Sequence, residues 1–309
     1  MPLRAALLWA ALAGGAQADL AVITSQSAGK LSFLSTPDAK ILREVDLPGQ
    51  PAALAVSQSH IAVIAVGTRT LHLLDLQSRE LASRVFPGAP FAVGFDGKSG
   101  DLLVTDAAGP GAVHRLSVPD LQQMESYAAA ANPTGIDSDE TGRFVVAARD
   151  ADLALIYPPE CRGCAPRAVP VGHHPFGVTL HGGRAFVSNV LSDDLSVIDL
   201  TQGIEIARIP TGARPYATTF AAGRGFVSNQ YDASLTVFDA ESLKVTGRIE
   251  TADYPEGLST DAAGRVVVAA WFSDLVQIFD PQSLELISES PVPEGPRAFG
   301  RFITLSPAP

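Results

Sequence analysis

The sequence predicts an all-β protein, a seven-bladed β-propeller with four strands in each blade. The first supporting observation is an alternating apolar segment ending in Asp, which recurs at Leu71–Asp75, Leu195–Asp199, Leu235–Asp239 and Val276–Asp280. Weaker copies lie at Leu31–Ser35, Val113–Ser117 and Leu153–Tyr157. The copies end at positions 35, 75, 117, 157, 199, 239 and 280, so neighbouring copies are 40 to 42 residues apart. A fixed period of this length is typical of repeat architectures.

A second marker keeps the same period. A proline opens an apolar stretch in each unit, at Pro51, Pro90, Pro133, Pro175, Pro215, Pro255 and Pro296. Between the two markers lies a third short run, such as Phe186–Asn189 or Phe226–Asn229, and a fourth run follows, such as Glu205–Ile209. Short runs rich in β-branched residues and separated by Gly, Asp and Asn indicate strands rather than helices.

The two ends of the chain predict how the ring closes. The last unit, Pro296–Thr304, supplies one inner strand, and Leu20–Leu47 supplies three strands without a leading proline. We therefore predict a seventh blade that combines one C-terminal strand with three N-terminal strands. Such closure buries the apolar faces of each blade against its neighbours and leaves few open sheet edges.

Composition limits the functions that the chain can have. It has 309 residues, 46% of them hydrophobic and 18% charged, which is too apolar for a disordered protein. Its 22 basic and 33 acidic residues give a net charge of −11, a field that repels nucleic-acid phosphates and anionic lipids. We therefore predict no nucleic-acid partner. No segment approaches the roughly 20 apolar residues that span a bilayer, so we also predict no membrane insertion.

The N-terminus has the features of a secretory signal peptide. Arg4 precedes the apolar run Ala5–Ala13, and Ala16–Ala18 forms a small-residue cleavage site before Asp19. Most basic residues are Arg, which indicates a GC-rich bacterial genome. We predict that residues 1–18 are removed on export and that residues 19–309 form one domain located in the periplasm.

Two adjacent units carry a family resemblance. The segments Ala185–Asn189 and Asp194–Asp199, repeated as Gly225–Asn229 and Ser234–Asp239, resemble the YVTN-type β-propeller repeat family. The resemblance covers essentially the mature chain and is strongest over Gly172–Asp280. Relatives of this type include lactonase-like proteins, heavy subunits of periplasmic quinone-cofactor amine dehydrogenases, heme-binding propellers of nitrite reductase type and unassigned exported proteins of quinone-dependent alcohol oxidation. The resemblance thus implies a fold and several functions, and it selects none of them.

The candidate ligand-binding residues lie in loops at one mouth of the central channel, where ligand sites form in closed β architectures. The loops that enter the inner strands contribute His173, His174, Arg214, Tyr216, Tyr254, Glu256 and Arg297. The loops between the second and third strands contribute Arg149, Asn189, Asn229, Tyr231 and Trp271. Guanidinium groups match carboxylates or phosphates, and Tyr or Trp rings stack on planar groups, so the set favours an anionic organic ligand. The alternative is that these side chains face solvent and cap strand ends.

The two neighbouring histidines raise the question of a metal. Adjacent side chains on an extended loop point in different directions, and no other histidine lies nearby in sequence, so we predict no metal site at His173 and His174. Heme or another tetrapyrrole bound over His174, with Arg214 and Arg297 pairing with its propionates, is an alternative. The sequence does not determine a cofactor.

The single cysteine pair is predicted to form a disulfide. Cys161 and Cys164 lack the following His of a c-type heme site, because residue 165 is Ala, and they lack the four ligands of a structural zinc. They lie at the turn between the third and fourth strands of their blade. In an oxidising compartment a local disulfide closing that turn is the expected state.

Catalytic signatures are missing from the sequence, so no catalytic residue is predicted. It has no GxSxG elbow, no P-loop and no dinucleotide fingerprint, and the recurring Asp of Asp199 and Asp239 is predicted to cap a turn. We therefore favour an exported protein that binds a small ligand or a protein partner at the channel mouth, as an accessory to a periplasmic oxidation system. The alternatives are a lactonase-like hydrolase, with Asn189, Asn229 and Glu256 as metal ligands, and the propeller subunit of a periplasmic quinone-cofactor dehydrogenase.

Overall fold

Seven four-stranded antiparallel sheets, arranged as the blades of a propeller, contain all the strands of the computed structural model. The structure describes residues 19–36 and 38–304, and the predicted signal peptide, residues 1–18, lies outside them. The predicted fold class is confirmed. No helix within the described residues is long and apolar enough to cross a membrane.

We number the blades 1 to 7 by the proline that precedes or opens each first strand. Three strands of blade 7 come first in the described part of the chain: β1 (Leu20–Ser25), β2 (Lys30–Ser35) and β3 (Ile41–Asp46). Blade 1 contains β4 (Pro51–Val56), β5 (His60–Ala65), β6 (Thr70–Asp75) and β7 (Glu80–Val85). Blade 2 contains β8 (Pro90–Phe95), β9 (Leu102–Asp106), β10 (Ala112–Leu116) and β11 (Gln123–Ala128). Blade 3 contains β12 (Pro133–Ser138), β13 (Phe144–Ala148), β14 (Leu153–Tyr157) and β15 (Arg167–Pro170).

Blades 4 to 6 repeat this plan most regularly. Blade 4 contains β16 (Pro175–His181), β17 (Arg184–Asn189), β18 (Asp194–Asp199) and β19 (Ile204–Pro210). Blade 5 contains β20 (Pro215–Ala221), β21 (Arg224–Asn229), β22 (Ser234–Asp239) and β23 (Val245–Glu250). Blade 6 contains β24 (Pro255–Thr260), β25 (Val266–Ala270), β26 (Leu275–Phe279) and β27 (Leu286–Pro291). Single 3-10 turns, Arg149–Ala151 and Gln230–Asp232, lie in the loops after β13 and β21.

The ring closes in blade 7, where β28 (Ile303–Thr304) pairs with β1, as the sequence predicts. This regular strand is shorter than the expected inner strand over Pro296–Thr304, although Pro296 still forms a bridge with Ser25. The reason is that the middle of the segment pairs with the next blade instead of with β1.

That second pairing ties blade 7 to blade 1. The backbone amides of Leu54 and Val56 donate hydrogen bonds to the carbonyls of Phe299 and Arg301 at 2.9 and 2.8 Å. The approach is so close that a Cβ atom at position 300 would overlap the Leu54 carbonyl oxygen, and Gly300 has a φ of +124°. Glycine is required at this position because no other residue combines that conformation with that contact.

Apolar side chains fill the spaces between neighbouring blades. Val267 and Ile278 of blade 6, for example, pack in one cluster with Val22 and Phe33 of blade 7. Both faces of a blade are buried in this way, and the burial of apolar surface is the main force that stabilises the ring.

Two predictions about turns are confirmed. The Asp199 carboxylate accepts hydrogen bonds from the amides of Thr201 and Gln202, both at 2.8 Å, so this recurring residue caps the turn after the third strand. Cys161 and Cys164 form a disulfide in the turn between β14 and β15.

Candidate functional site

The residue before the proline has a left-handed backbone at six of the seven blade entries. These residues are Gln50, Asn132, His174, Arg214, Tyr254 and Gly295, with φ between 54° and 74°. Gly adopts this conformation freely and Asn tolerates it, whereas larger side chains are uncommon there. The conformation costs free energy, so the surrounding structure must hold it in place. The conformation therefore draws attention to His174, Arg214 and Tyr254.

An aspartate from the preceding blade holds three of these positions in place. In each case the aspartate lies in the loop between the second and third strands, and its Oδ1 accepts the backbone amide before the proline. The pairs are Asp152 with His174 at 2.9 Å, Asp193 with Arg214 at 2.8 Å, and Asp274 with Gly295 at 2.8 Å. The strained loop backbone is thereby fixed by neighbouring blades, so the side chains that project from it are pre-organised.

The side chains converge on one cavity of about 430 Å³, which we call the mouth cavity. This volume lies in the range of small-molecule sites. Eight of the twelve candidate ligand-binding residues line it: Arg149, His174, Arg214, Tyr216, Tyr231, Tyr254, Glu256 and Arg297. Phe91, Phe176, Val190, Leu191 and Gln230 complete the lining.

The floor of the mouth cavity is aromatic. The Phe176 ring lies 5.4 Å from Phe91, 4.4 Å from Tyr216 and 5.2 Å from Phe299, measured between ring centroids. These rings come from blades 2, 4, 5 and 7 and contact one another across the propeller axis. Burial raises the pKa of Tyr216 well above its ordinary value, so its hydroxyl stays protonated. The mouth cavity is thus a cup with an apolar base, because this aromatic cluster fills the channel beneath it.

One wall contains a buried ion pair. The Glu256 side chain is almost fully buried and accepts hydrogen bonds from Arg297 Nε and Nη2 at 2.6 and 3.1 Å. Gln230 Nε2 donates a further bond to Glu256 at 2.9 Å. Burial raises the pKa of Glu256, while the Arg297 charge acts to lower it, and the two-pronged geometry is that of a carboxylate with a guanidinium. Trp271 packs against the Arg297 guanidinium at 4.7 Å. Both charges are therefore largely satisfied within the protein.

Other residues of the lining carry positive charge that is less well compensated. Arg149 pairs with Asp150 at 3.0 Å, but Arg214 forms no ion pair with any described carboxylate. The guanidinium of Arg214 makes one long hydrogen bond, 3.4 Å, to the carbonyl of Val190 and lies 5.5 Å from the Tyr231 ring. Arg214 therefore retains donors that can bind an anion in the mouth cavity.

The charges of both arginines act on His174. Burial, followed by the charge of Arg149 and then that of Arg214, lowers the pKa of His174 below its ordinary value, so the imidazole is neutral at pH 7. Among the described residues its ring nitrogens have no hydrogen-bond partner. A neutral imidazole can accept a hydrogen bond from a ligand or coordinate a metal through a ring nitrogen.

The other candidates lie outside the mouth cavity. The side chain of His173 is 75% exposed, and its Nδ1 lies 2.8 Å from Asp152. Trp271 contacts the guanidinium of Arg297 but does not line the cavity. The structure thus separates the two adjacent histidines, as expected for neighbours on an extended loop.

The two asparagines that recur in the repeat, Asn189 and Asn229, are buried inside their own blades. Asn189 Nδ2 donates to Asp194 and Ser196 at 2.6 and 2.8 Å, and Asn229 Nδ2 donates to Ser234 and Thr236, both at 3.0 Å. Their amides link the second and third strands, and they do not converge with Glu256. Within residues 19–36 and 38–304, no group of three or more His, Cys, Asp or Glu side chains could hold a metal ion.

Sequence reasoning missed the aromatic floor, although a signal for it was present. Phe91 and Phe176 follow Pro90 and Pro175, the same position that Tyr216 occupies after its proline. Phe299 had no such signal, because it reaches the axis only through the irregular backbone of the closing segment.

Comparison with known proteins identifies the fold but not the function. No protein-family model matches this sequence, and no curated protein matches it. A solved structure of a functionally unknown protein from Desulfotomaculum acetoxidans DSM 771 is similar, with a TM-score of 0.79 and 15% identity. The match covers 94% of this chain and 100% of that one.

A second similar structure is dihydro-heme d1 dehydrogenase NirN in complex with DHE. The TM-score is 0.66 and the identity 17%, and the match covers 88% of this chain but 63% of the NirN chain. At such identities the likeness concerns the propeller fold.

Proposed function

We propose that this protein binds a small organic anion in the mouth cavity and does not itself catalyse a reaction. The unpaired guanidinium of Arg214 carries this proposal, because it faces a pre-formed cavity with donors that no described carboxylate occupies. The aromatic floor supplies apolar contact for the body of the ligand, and His174 and Tyr254 add polar groups at the rim.

We further propose that the chain belongs to the YVTN-type repeat family and is exported to the periplasm, where it serves an oxidation system as an accessory. The signal-like sequence of residues 1–18 supports export, and the Cys161–Cys164 disulfide fits an oxidising compartment. Sequencing the N-terminus of the protein recovered from a periplasmic extract tests this, and a chain that begins at Asp19 is expected.

Fluorescence offers a direct test of anion binding. Trp271 is the sole tryptophan after residue 18, and it packs on Arg297 at the edge of the mouth cavity. We expect saturable changes in its emission when the protein is titrated with benzoate, and weaker or no changes with neutral benzyl alcohol. Equal responses to the acid and the alcohol would contradict the proposal.

A tetrapyrrole is a second candidate ligand. The imidazole of His174 favours it, because it is neutral and has no hydrogen-bond partner among the described residues. The imidazole could hold an iron, and Arg149 and Arg214 could each hold a propionate. Arg297 is less suited to a propionate than expected, because Glu256 already occupies it. The NirN complex with DHE shows that a similar propeller occurs with such a ligand. An absorbance spectrum after incubation with hemin, compared between the native chain and His174→Ala, tests this candidate through the Soret band.

A lactonase-like hydrolase receives less support. Its three supposed metal ligands, Asn189, Asn229 and Glu256, are engaged in separate structural hydrogen bonds. The dehydrogenase-subunit alternative requires a stable partner, and co-purification of the full chain from its native host would test it.

A further inference from the structure

Exposed aromatic rings are concentrated at the mouth. In the described part of the chain, the exposed large hydrophobic residues include two aromatic ones, Tyr231 at 63% and Phe272 at 68% exposure. The others are aliphatic or Met and, apart from Leu191, lie on the outermost strands of the blades. Leu191 itself lines the mouth cavity. An exposed apolar cluster beside a cavity is a feature of ligand-binding surfaces.

The rings form a continuous row that starts at the anion-binding group. Tyr231 lies 5.5 Å from the guanidinium of Arg214, and its centroid is 5.4 Å from that of Tyr254. Tyr254 is in turn 4.5 Å from Phe272. We call Tyr231, Tyr254 and Phe272 the aromatic ridge. Its residues come from blades 5 and 6, and Tyr254 has the strained left-handed backbone described above.

A second depression extends the site outward from the same arginine. It has a volume of about 430 Å³ and is lined by Leu191, Asp193, Ala213, Arg214 and Tyr231. Leu191, Arg214 and Tyr231 line both this outer depression and the mouth cavity. Beside Arg214, the outer depression offers the apolar side chains of Leu191 and Ala213 together with the Asp193 carboxylate. The apolar surface near Arg214 is thus provided mainly by the rings that begin at Tyr231, and it is longer than a single small ring.

We infer that the ligand is an aromatic acid with an extended planar ring system of two or more fused rings, whose carboxylate binds Arg214 and whose rings pack along the aromatic ridge. This inference rests on the proposed function. Aromatic side chains prefer flat ring partners in offset or edge-to-face contact, whereas a saturated ring system of the same size cannot make these contacts. Arg214 can also stack on a conjugated ring while it binds the acid.

The test compares two acids that differ in planarity. The probes are 2-naphthoate and decahydro-2-naphthoate, which share the carbon skeleton and the carboxylate, and their affinities are measured by calorimetry on the full mature chain. We expect 2-naphthoate to bind about tenfold more tightly, because stacking on aromatic residues is worth about that factor. The saturated acid is the more hydrophobic of the two, so general apolar burial would produce the reverse order.

Variants locate the effect. Tyr231→Leu keeps an apolar side chain but removes the ring, and we expect it to bring the two affinities together. Val85→Thr, a near-isosteric change at an exposed residue on an outer strand, is the matched control and should keep the tenfold ratio. A ratio that survives Tyr231→Leu, or equal affinities of the native chain for both acids, overturns the inference while anion binding stands. If neither acid binds, the proposed function fails as well.

Discussion

The carboxylate of Asp193 in blade 4 accepts a hydrogen bond of 2.8 Å from the backbone amide of Arg214, the residue that leads into blade 5. Arg214 has a φ of +59°, a conformation that Gly295 supplies at the equivalent position of blade 7. The chain thus has an arginine where a glycine would fit with less strain, and a neighbouring blade fixes its backbone. The Asp193 bond involves only the backbone of Arg214, so substitutions can test the role of the side chain by itself.

Replacing Arg214 by Gly should weaken anion binding without unfolding the protein. The relief of left-handed strain and the greater chain entropy of glycine are both of the order of 1 kcal/mol and largely cancel. The loss of a charge-assisted contact of about 1.5–3 kcal/mol should weaken benzoate binding by roughly 10- to 100-fold. Titration of Trp271 fluorescence measures the affinity, and urea unfolding measures the stability.

Gln50→Gly is the matched control for that substitution. Gln50 occupies the same left-handed position in blade 1 with a φ of +64° but does not line the mouth cavity. It should leave the affinity for benzoate unchanged. If Arg214→Gly and Gln50→Gly bind benzoate equally well, Arg214 is not the anion-binding group.

The aspartate that fixes the loop should matter for both stability and affinity. Asp193→Ala removes the acceptor of the Arg214 amide, and we expect a loss of about 1 kcal/mol in the free energy of unfolding. Compared with Asp193→Asn, which removes the same charge but keeps an acceptor, Asp193→Ala should bind benzoate several-fold more weakly, since the arginine is no longer pre-organised. Asp274→Ala removes the same bond to Gly295, at 2.8 Å, where no side chain depends on it. This control should lose stability to a similar extent and keep its affinity.

The closing segment offers a contrast between two phenylalanines. Phe302 is fully buried within the apolar cluster of blade 7, and Phe299 is 7% exposed in the aromatic floor. Each substitution by Ala should lower the free energy of unfolding by about 3–5 kcal/mol, because it leaves a cavity in a packed region. Phe299 does not itself line the mouth cavity but packs against Phe176, which does. Phe299→Ala alone should therefore also weaken benzoate binding, measured at a temperature where both variants are folded. Equal affinities in the two variants would show that the floor does not contribute to the site.

Periodicity explains why the fold could be predicted so fully from the sequence. The prolines from Pro51 to Pro255 open their strands as expected, because each blade buries the same strand faces and therefore selects the same pattern. Closure by β28 and β1 followed from counting the incomplete units at the two ends. The irregular middle of the last segment could not be predicted, because it depends on the contact of Gly300 with blade 1 rather than on a local signal.

The candidate site was predicted in part, for a related reason. Arg214, Tyr254 and His174 could be found because they vary at a position where the repeat holds everything else constant. Asn189 and Asn229 recur in the pattern, and that recurrence fits their observed role in linking strands within a blade. The pairing of Glu256 with Arg297 joins residues 41 positions apart, and only the ring geometry brings them together.

Removing the carboxylate of that ion pair should lower the stability of the protein but raise its affinity for the ligand. Glu256→Gln keeps the shape of the side chain but leaves the Arg297 charge without its carboxylate. We expect the free energy of unfolding to fall by about 2 kcal/mol, less than for a fully buried pair because Arg297 remains 29% exposed. Affinity for benzoate should rise several-fold, since a second guanidinium becomes available in the mouth cavity. A variant that is less stable and also binds less tightly would mean that Glu256 contributes to the site other than through its charge.

The protonation of His174 distinguishes the two candidate ligands. Burial and the nearby arginines lower its pKa, so the imidazole gains its proton only below about pH 6.5. Asp150 and Asp152, which face it, have lowered pKa values because of hydrogen bonds from Asn132 and from the His174 amide, so both stay ionised in this range. Acidification below about pH 6.5 therefore adds positive charge to the mouth cavity, to an extent that grows as the pH falls through the pKa of His174.

An anionic ligand should consequently bind more tightly as the pH falls. The probe is benzenesulfonate, whose own charge does not change over this range, and its affinity should rise about fivefold, while His174→Gln should show a flat profile. Hemin held through the imidazole nitrogen should behave in the opposite way, because the proton competes with iron for the same lone pair. Benzenesulfonate affinity that falls on acidification, or that rises equally in His174→Gln, would exclude His174 from contact with the anion.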